Sequence, residues 1–395
     1  MSAQTRITSV GTVATAAAMN PILGTKPLGF PWPTIDPFLF CVYHDDLYPK
    51  GKADMTPDAS LAGRNMGQDF EGIDGWRMYH GMTVPGFPSH PHRGFETVTI
   101  VRKGLIDHSD SLGATARFGK GATADNGADN GAEIGVVSAD PAADVCGDVQ
   151  WLTAGKGIVH SEMFPLLNEA GSNPLELFQI WLNLPASHKM VAPHFTMFWD
   201  EKIPRRVDAD SNGKTTAVAC VAGRFSDDRG QKTLTPLAPP PDSWASQPGS
   251  DLAIWTLKMQ AGATWTLPRA TGADTRRMLY FFKGASVTVG GQAVNQHAAI
   301  ELNAGLDVEL TNIDAAPGAE PAEFLVLQGK PINEPVAQYG PFVMNTQAEI
   351  HQAFADYRRT EFGGWPFPDT APVHGRETKR FAKHADGVVE TTVRD

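Results

Sequence analysis

The chain has 395 residues, long for one domain and comfortable for two, and its 42% hydrophobic content comes with 39 glycines and 30 prolines. That composition describes a turn-rich, largely β globular protein and excludes a helical bundle or a disordered chain. The formal charge of −11 comes without any extended basic run, so neither direct nucleic-acid binding nor an anionic membrane surface is expected, and no apolar stretch is long enough to span a membrane.

Three widely separated cysteines, Cys41, Cys146 and Cys220, are odd in number and lack CxxC spacing. They imply no disulfide framework and a reducing compartment, with a cytoplasmic protein as the expectation. The N-terminal run to Asn20 lacks the basic start and compact apolar stretch of a targeting peptide, and Thr5 to Val13 is expected to be a first strand. Residues 21–37, rich in Pro and Gly, read as extended chain leading into a buried strand, PFLFCVYH at 37–44. From Asp45 to Gly75 the sequence turns polar and glycine-rich, which marks an insertion near 45–75, and WRMYHGMTV at 76–84 resumes strand character.

Two short pieces then carry metal chemistry: His90-Pro91-His92, and further on His160-Ser161-Glu162, each next to β-type sequence. Side chains in a strand alternate faces, so His90 and His92 share a face, as do His160 and Glu162. Where these strands lie close together in a barrel with those faces inward, three imidazoles and one carboxylate converge on one point. Neutral imidazoles with a single carboxylate suit Fe, Mn, Ni, Cu or Zn and match Ca or Mg poorly. On an octahedral ion, four protein ligands leave two positions for substrate, water or O2. A lone strand histidine is more often a packed or surface residue; two i, i+2 pairs in glycine-bounded β sequence weigh more. Pro91 places the first pair at a strand start or edge, near a barrel mouth. The extra histidines His44 and His80 are expected to pack or hydrogen-bond.

After the first pair, FETVTIV is a strand, Lys103-Gly104 a turn, and LIDHSDS a second strand. His108 has the parity of the first pair but lies beyond that turn, so it is left out of the site. The Ala/Asp/Gly/Asn-rich stretch from Gly119 to Gly147 reads as a mobile loop, with residues 122–145 outside the structural core and Glu133 to Ser138 as a small strand. The second half is again a series of strands, and APPPDSWASQPG at 238–249 reads as an external loop. A weak internal repeat aligns IVRKG (100–104) with FFKG (281–284) at an offset of 180, which puts Ala270, Gly272 and Arg276 where His90, His92 and Glu96 stand; the second half is therefore expected to hold no metal, and His297 to cap or pack. Thr346 to Glu349 forms a capping box opening a helix to about Arg359, with Ile350, Phe354 and Tyr357 on its apolar side. The remainder is expected to wrap irregularly on the surface, with His351, His374 and His384 solvated.

The segments HPHRGFETVT (90–99), GDVQWLTAGKGIVHSEM (147–163), LFQIWLNLPASHKM (177–190) and PINEPVAQYGPFVMNT (331–346) together resemble the pirin family of the cupin superfamily, from Ile35 to about Thr346. The resemblance implies an all-β protein of two tandem cupin (jelly-roll) barrels: 1–174 with insertions near 45–75 and 120–147, then 175–345, then a C-terminal helix and tail at 346–395. It implies an iron ion, Fe(II), held by His90, His92, His160 and Glu162, with Mn, Ni, Cu or Zn as alternatives. It also implies quercetinase-like dioxygenase activity on a flavonol or similar small aromatic substrate, for which Glu162 is the natural base. The alternative it carries is a non-catalytic, redox-responsive iron protein acting through a protein partner. One choice stays open: the broader cupin pattern makes Glu96 the carboxylate ligand, and Glu96 also keeps the parity of His90 and His92. The pirin pattern favours Glu162, with Glu96 beside the site or structural.

Overall fold

The computed structural model describes residues 20–120, 142, 144–226, 233–314, 316, 318–377 and 379–392. The expected strand at Thr5 to Val13 and the small strand at Glu133 to Ser138 lie outside the described residues. The remaining chain forms two antiparallel β units. The first is a ten-stranded sheet running Phe38–Tyr48, Asn173–Asn183, Phe95–Asp110, Thr115–Lys120, Phe381–Lys383 and Val389–Thr391, with Gly86–His92, Asp148–Thr153, Ile158–Met163 and His194–Phe198 branching from that path. The second pairs a seven-stranded sheet, from Ile22–Pro27 at one edge to Arg205–Ala209 at the other, with a four-stranded sheet that includes Thr264–Leu267 and Val308–Asn312.

Strand alternation assigns the two faces different jobs. Along Asn173–Asn183, Phe178, Ile180 and Leu182 join a core shared with the second barrel, while Leu177, Gln179 and Trp181 point into the first barrel. The shared core also draws Met278, Tyr280, Phe282, Leu325 and Leu327 from the facing sheet. Trp32 sits in it, with ring centroids 5.2 Å from Tyr280 and 5.7 Å from Phe178. Nearby, buried Arg102 is paired with Glu176 of its own sheet and Glu323 of the other, and Lys283 reaches Glu176 at 2.8 Å. Cys41 lies in this core and, like Cys146 and Cys220, is buried and free.

Several boundaries differ from expectation. The division at residue 174 cuts a single strand: Asn173–Asn183 lies between Phe38–Tyr48 and Phe95–Asp110, and His194–Phe198 pairs with Asp148–Thr153, so the first barrel extends to about Phe198. Lys103-Gly104 is not a turn. Phe95–Asp110 is one strand of 16 residues whose register slips between Val101 and Lys103, so that its first half pairs with Asp148–Thr153 and its second with Thr115–Lys120 and Ile158–Met163. Gly104 makes the bend possible: its φ is +76°, and a Cβ there would stand 2.6 Å from the Pro174 carbonyl oxygen. Residues 76–84 hold no strand, only bridges at Tyr79, because Trp76, Met78 and Tyr79 are buried as packing residues of a loop.

The stretch 238–249 is not wholly external, since Ser243 is fully buried. Of the loop expected outside the core, most falls beyond the described residues, but Ala142 and Val145 are buried in the shared core. Helix Gln347–Thr360 carries the expected capping box between Thr346 and Glu349 and buries Ile350, with Phe354 and Tyr357 packed beside it. No helix among the described residues is long and apolar enough to cross a membrane. The tail departs from irregular wrapping: Phe381–Lys383 adds a strand to Thr115–Lys120, and Arg117, paired with Asp107, also binds the Gly375 carbonyl. His374 and His384 are therefore half-buried, the first against the His108 and Ala116 carbonyls and the second 2.7 Å from Glu390, whereas His351 is exposed.

Candidate metal centre

Strands Gly86–His92 and Ile158–Met163 run antiparallel, and the pairing sets His90 directly opposite His160. A bulge between Phe87 and His90 turns both His90 and His92 toward that neighbour. Ring centroids are 4.8 Å apart for His90 and His92, 4.5 Å for His90 and His160, and 4.9 Å for His92 and His160. One nitrogen from each lies within 4.8 Å of the others.

The hydrogen bonds orient the rings. His90 Nδ1–H donates to the Pro88 carbonyl at 2.8 Å and His92 Nδ1–H toward the Pro341 carbonyl at 3.4 Å, which leaves both Nε2 lone pairs free for a ligand. His160 is fully buried, and neither of its nitrogens has a hydrogen-bond partner among the described residues. A buried unpartnered imidazole costs stability unless something else satisfies it. Burial pushes His90 down to about 4, and holds His92 and His160 well below the ordinary histidine value, so all three are neutral and offer lone pairs at neutral pH. Three convergent neutral nitrogens, one of them an orphan, fit a transition-metal ion.

Glu162 stands beside the cluster, its Oε2 3.9 Å from His160 Nε2. Gln179 Nε2 donates to its Oε2 at 3.5 Å, while the Thr99 hydroxyl, 3.4 Å from its Oε1, has its nearer acceptor in Gln179 Oε1. Burial raises the Glu162 carboxyl to about 6. Glu96 is elsewhere. It accepts hydrogen bonds from Thr153 at 2.7 Å and from Ser243 at 2.5 Å, on the face turned toward the second barrel. Its parity with His92 lapses because Gly94, at φ +86° and packed against the Val343 carbonyl, separates the two strands.

His108, left out of the site on sequence grounds, lies beside the cluster without joining it. Because Phe95–Asp110 continues through Gly104, His108 is the cross-strand partner of Glu162, and its ring lies 5.7 Å from His160. Its Nε2 is 3.2 Å from Asp110, and its Nδ1 is buried without a partner among the described residues. The parity of His108 was the usable signal; the assumed turn concealed it. His44 and His80 do hydrogen-bond as expected, to the Tyr79 hydroxyl at 2.6 Å and the Gly67 carbonyl at 2.7 Å, but both also line the cavity above the cluster. That cavity is about 520 Å³, with His90, His92, Glu162 and Gln179 among aromatic walls that include Phe40, Phe87 and Trp181. Its size falls in the range of small-molecule sites.

The paired antiparallel sheets and the histidine cluster inside one of them define a two-barrel cupin protein with a candidate metal centre. The chain belongs to the pirin family: the Pirin family model matches residues 64–133 and 142–182, and the Pirin C-terminal cupin domain model matches 254–363. The human protein Pirin is 31% identical over 70% of this chain and 78% of its own length. A protein of Pseudomonas aeruginosa, provisionally named a quercetin 2,3-dioxygenase, is 34% identical over 70% of this chain and 79% of its own length. Among solved structures, a quercetin 2,3-dioxygenase from Acinetobacter baumannii superposes with a TM-score of 0.59 and 25% identity, covering 88% of this chain and 99% of that one.

Proposed function

We propose that the protein is a metal-dependent dioxygenase that opens a flavonol such as quercetin, using a mononuclear site formed by His90, His92, His160 and Glu162. The observation that carries this reading is the fully buried His160 imidazole, without a hydrogen-bond partner among the described residues, facing His90 and His92, which line an aromatic-walled cavity. The names of the Pseudomonas and Acinetobacter proteins supply the substrate. Iron(II) is the metal proposed, with Mn, Ni, Cu or Zn compatible with the same donors. When bound, the metal supplies Lewis acidity toward the adjacent hydroxyl and carbonyl oxygens of a flavonol.

The protein's own groups do the rest. Aromatic walls strip water from a flat substrate, and Glu162, which accepts from Gln179 Nε2, takes the substrate's hydroxyl proton in this reading. Both atoms of O2 enter the products, so the reaction calls for no external reductant. The test is metal analysis of the protein as isolated, followed by aerobic incubation with quercetin. Oxygen uptake matching quercetin loss in wild type, abolished in Glu162→Gln, is the expected result. A metal-replete protein that leaves quercetin intact would overturn the enzymatic reading.

A further inference from the structure

His44 and His80 sit on the cavity wall away from the His90–His92–His160 cluster, and the mechanism above does not use them. Phe87 stands between the two groups: its ring centroid is 6.2 Å from His44, 5.6 Å from His80 and 6.3 Å from His90. The tautomer of each follows from its hydrogen bonds. His80 Nδ1 faces the Gly67 carbonyl at 2.7 Å, and a carbonyl only accepts, so Nδ1 carries the proton and Nε2 the lone pair. For His44 the same result comes through a chain. The Tyr79 hydroxyl has one proton and two candidate acceptors for it at 2.6 Å, His44 Nδ1 and Asp46 Oδ2. Asp46 also accepts from Arg77 at 3.0 Å, so it is the carboxylate acceptor and takes the Tyr79 proton. The Tyr79 oxygen therefore accepts from His44 Nδ1–H, and the His44 lone pair is fixed on Nε2. Neither Nε2 has a hydrogen-bond partner among the described residues, and both rings line the cavity.

Two imidazoles are thus held by the protein as hydrogen-bond acceptors beside aromatic rings, with Phe30 edge-on to His44 and Phe70 edge-on to His80. An acceptor pair so placed recognises O–H donors on a flat ring. We infer that His44 and His80 form a second recognition subsite, which selects substrates carrying hydroxyl groups on the part of the aromatic skeleton remote from the metal, with Tyr79 and Asp46 as positioning residues for His44. The identity of the aromatic substrate rests on the dioxygenase reading; the selection for remote hydroxyls does not require turnover.

The experiment compares binding of two probes to the full-length, metal-loaded protein at about pH 8: quercetin, and 3-hydroxyflavone, which keeps the hydroxyl–carbonyl pair but lacks the other hydroxyls. Wild type should bind quercetin more tightly, and His44→Phe and His80→Phe should each shrink that preference by about 3- to 10-fold, the weight of one hydrogen bond. His44→Gln, which restores an acceptor oxygen, should recover part of it, and Tyr79→Phe should lose part of it by freeing the ring. Metal content and melting temperature show whether each variant is folded. An unchanged preference in the folded double variant His44→Phe/His80→Phe, no preference in wild type, or no binding of either probe would overturn the subsite. A preference that behaves as expected without any turnover supports the subsite and sinks the dioxygenase reading alone.

Discussion

In the first barrel, inward-facing positions carry His90, His92, His160, Glu162 and Gln179 around a cavity of about 520 Å³. In the second, the interior is closed by apolar side chains such as Trp255, Trp265, Phe281 and Phe324, whose aromatic contacts include a Phe281–Phe324 pair at 5.4 Å. The positions aligned with the first histidine pair by the internal repeat, Ala270 and Gly272, lie in a loop, not on an inward-facing strand. One barrel type thus supports two outcomes. Filling the interior gains hydrophobic burial and dispersion contacts; leaving a cavity with unpartnered nitrogens forgoes both and costs about 1–3 kcal/mol for each unsatisfied polar group. Such a loss marks the first barrel as the one shaped for a ligand, while the second supports it through the shared core around Trp32.

The sharpest way to break this contrast is to remove a proposed ligand. Glu162→Gln should weaken metal binding by more than about 100-fold, beyond the roughly 10- to 100-fold typical of residues that only support a ligand. Glu96→Gln should leave metal affinity within about threefold, because its partners are Thr153 and Ser243; metal titration distinguishes them, and a larger effect at Glu96 would reverse the assignment. Next in size, Trp32→Ala should cost about 3–5 kcal/mol, as for other buried aromatic truncations, and denaturant unfolding should still show both barrels melting in one transition. Separate transitions would mean that the shared core does not couple them.

Glu96 also gives a pH signature. Burial raises its carboxyl from 4.5 to about 7, so across that window the folded protein holds a proton that the unfolded chain has released. Its contribution to stability is therefore present below about pH 4.5, is lost as pH rises toward 7, and is constant above. Glu96→Gln should flatten that part of the profile, so the mutant fares better relative to wild type at about pH 8 than at about pH 5, as read by denaturant midpoints. Smallest is Val145→Ala, which should cost about 1–2 kcal/mol by opening a small cavity in the shared core; no measurable change would put Val145 outside it.

Much of this was legible in the sequence because strand periodicity is a local property. The pairs His90/His92 and His160/Glu162 share faces by alternation alone, and their cross-strand approach follows once both strands enter one sheet. What was not legible depended on the backbone between strands. Gly104 reads like a turn residue, yet it lets one long strand bend from one sheet into another, and so His108 arrives beside Glu162. Gly94 acts the opposite way, ending the run in which Glu96 would have shared a face with His92. The domain boundary failed for a related reason: LFQIWLNL is apolar on both faces because one face lines the first cavity and the other the inter-barrel core, and nothing local says which barrel owns it. His44 and His80 are expected from the sequence to pack or hydrogen-bond, and they do hydrogen-bond, but their free Nε2 atoms appear only when the cavity does.

The central claim, that the histidine cluster of the first barrel is a metal centre and the packed second barrel is not, is tested most directly by metal stoichiometry. Titration of metal-stripped wild type with Fe(II) under anaerobic conditions, alongside folded His160→Ala, should give one tightly bound equivalent per chain in wild type and none in the variant. Two equivalents in wild type, or one retained by His160→Ala, would contradict it.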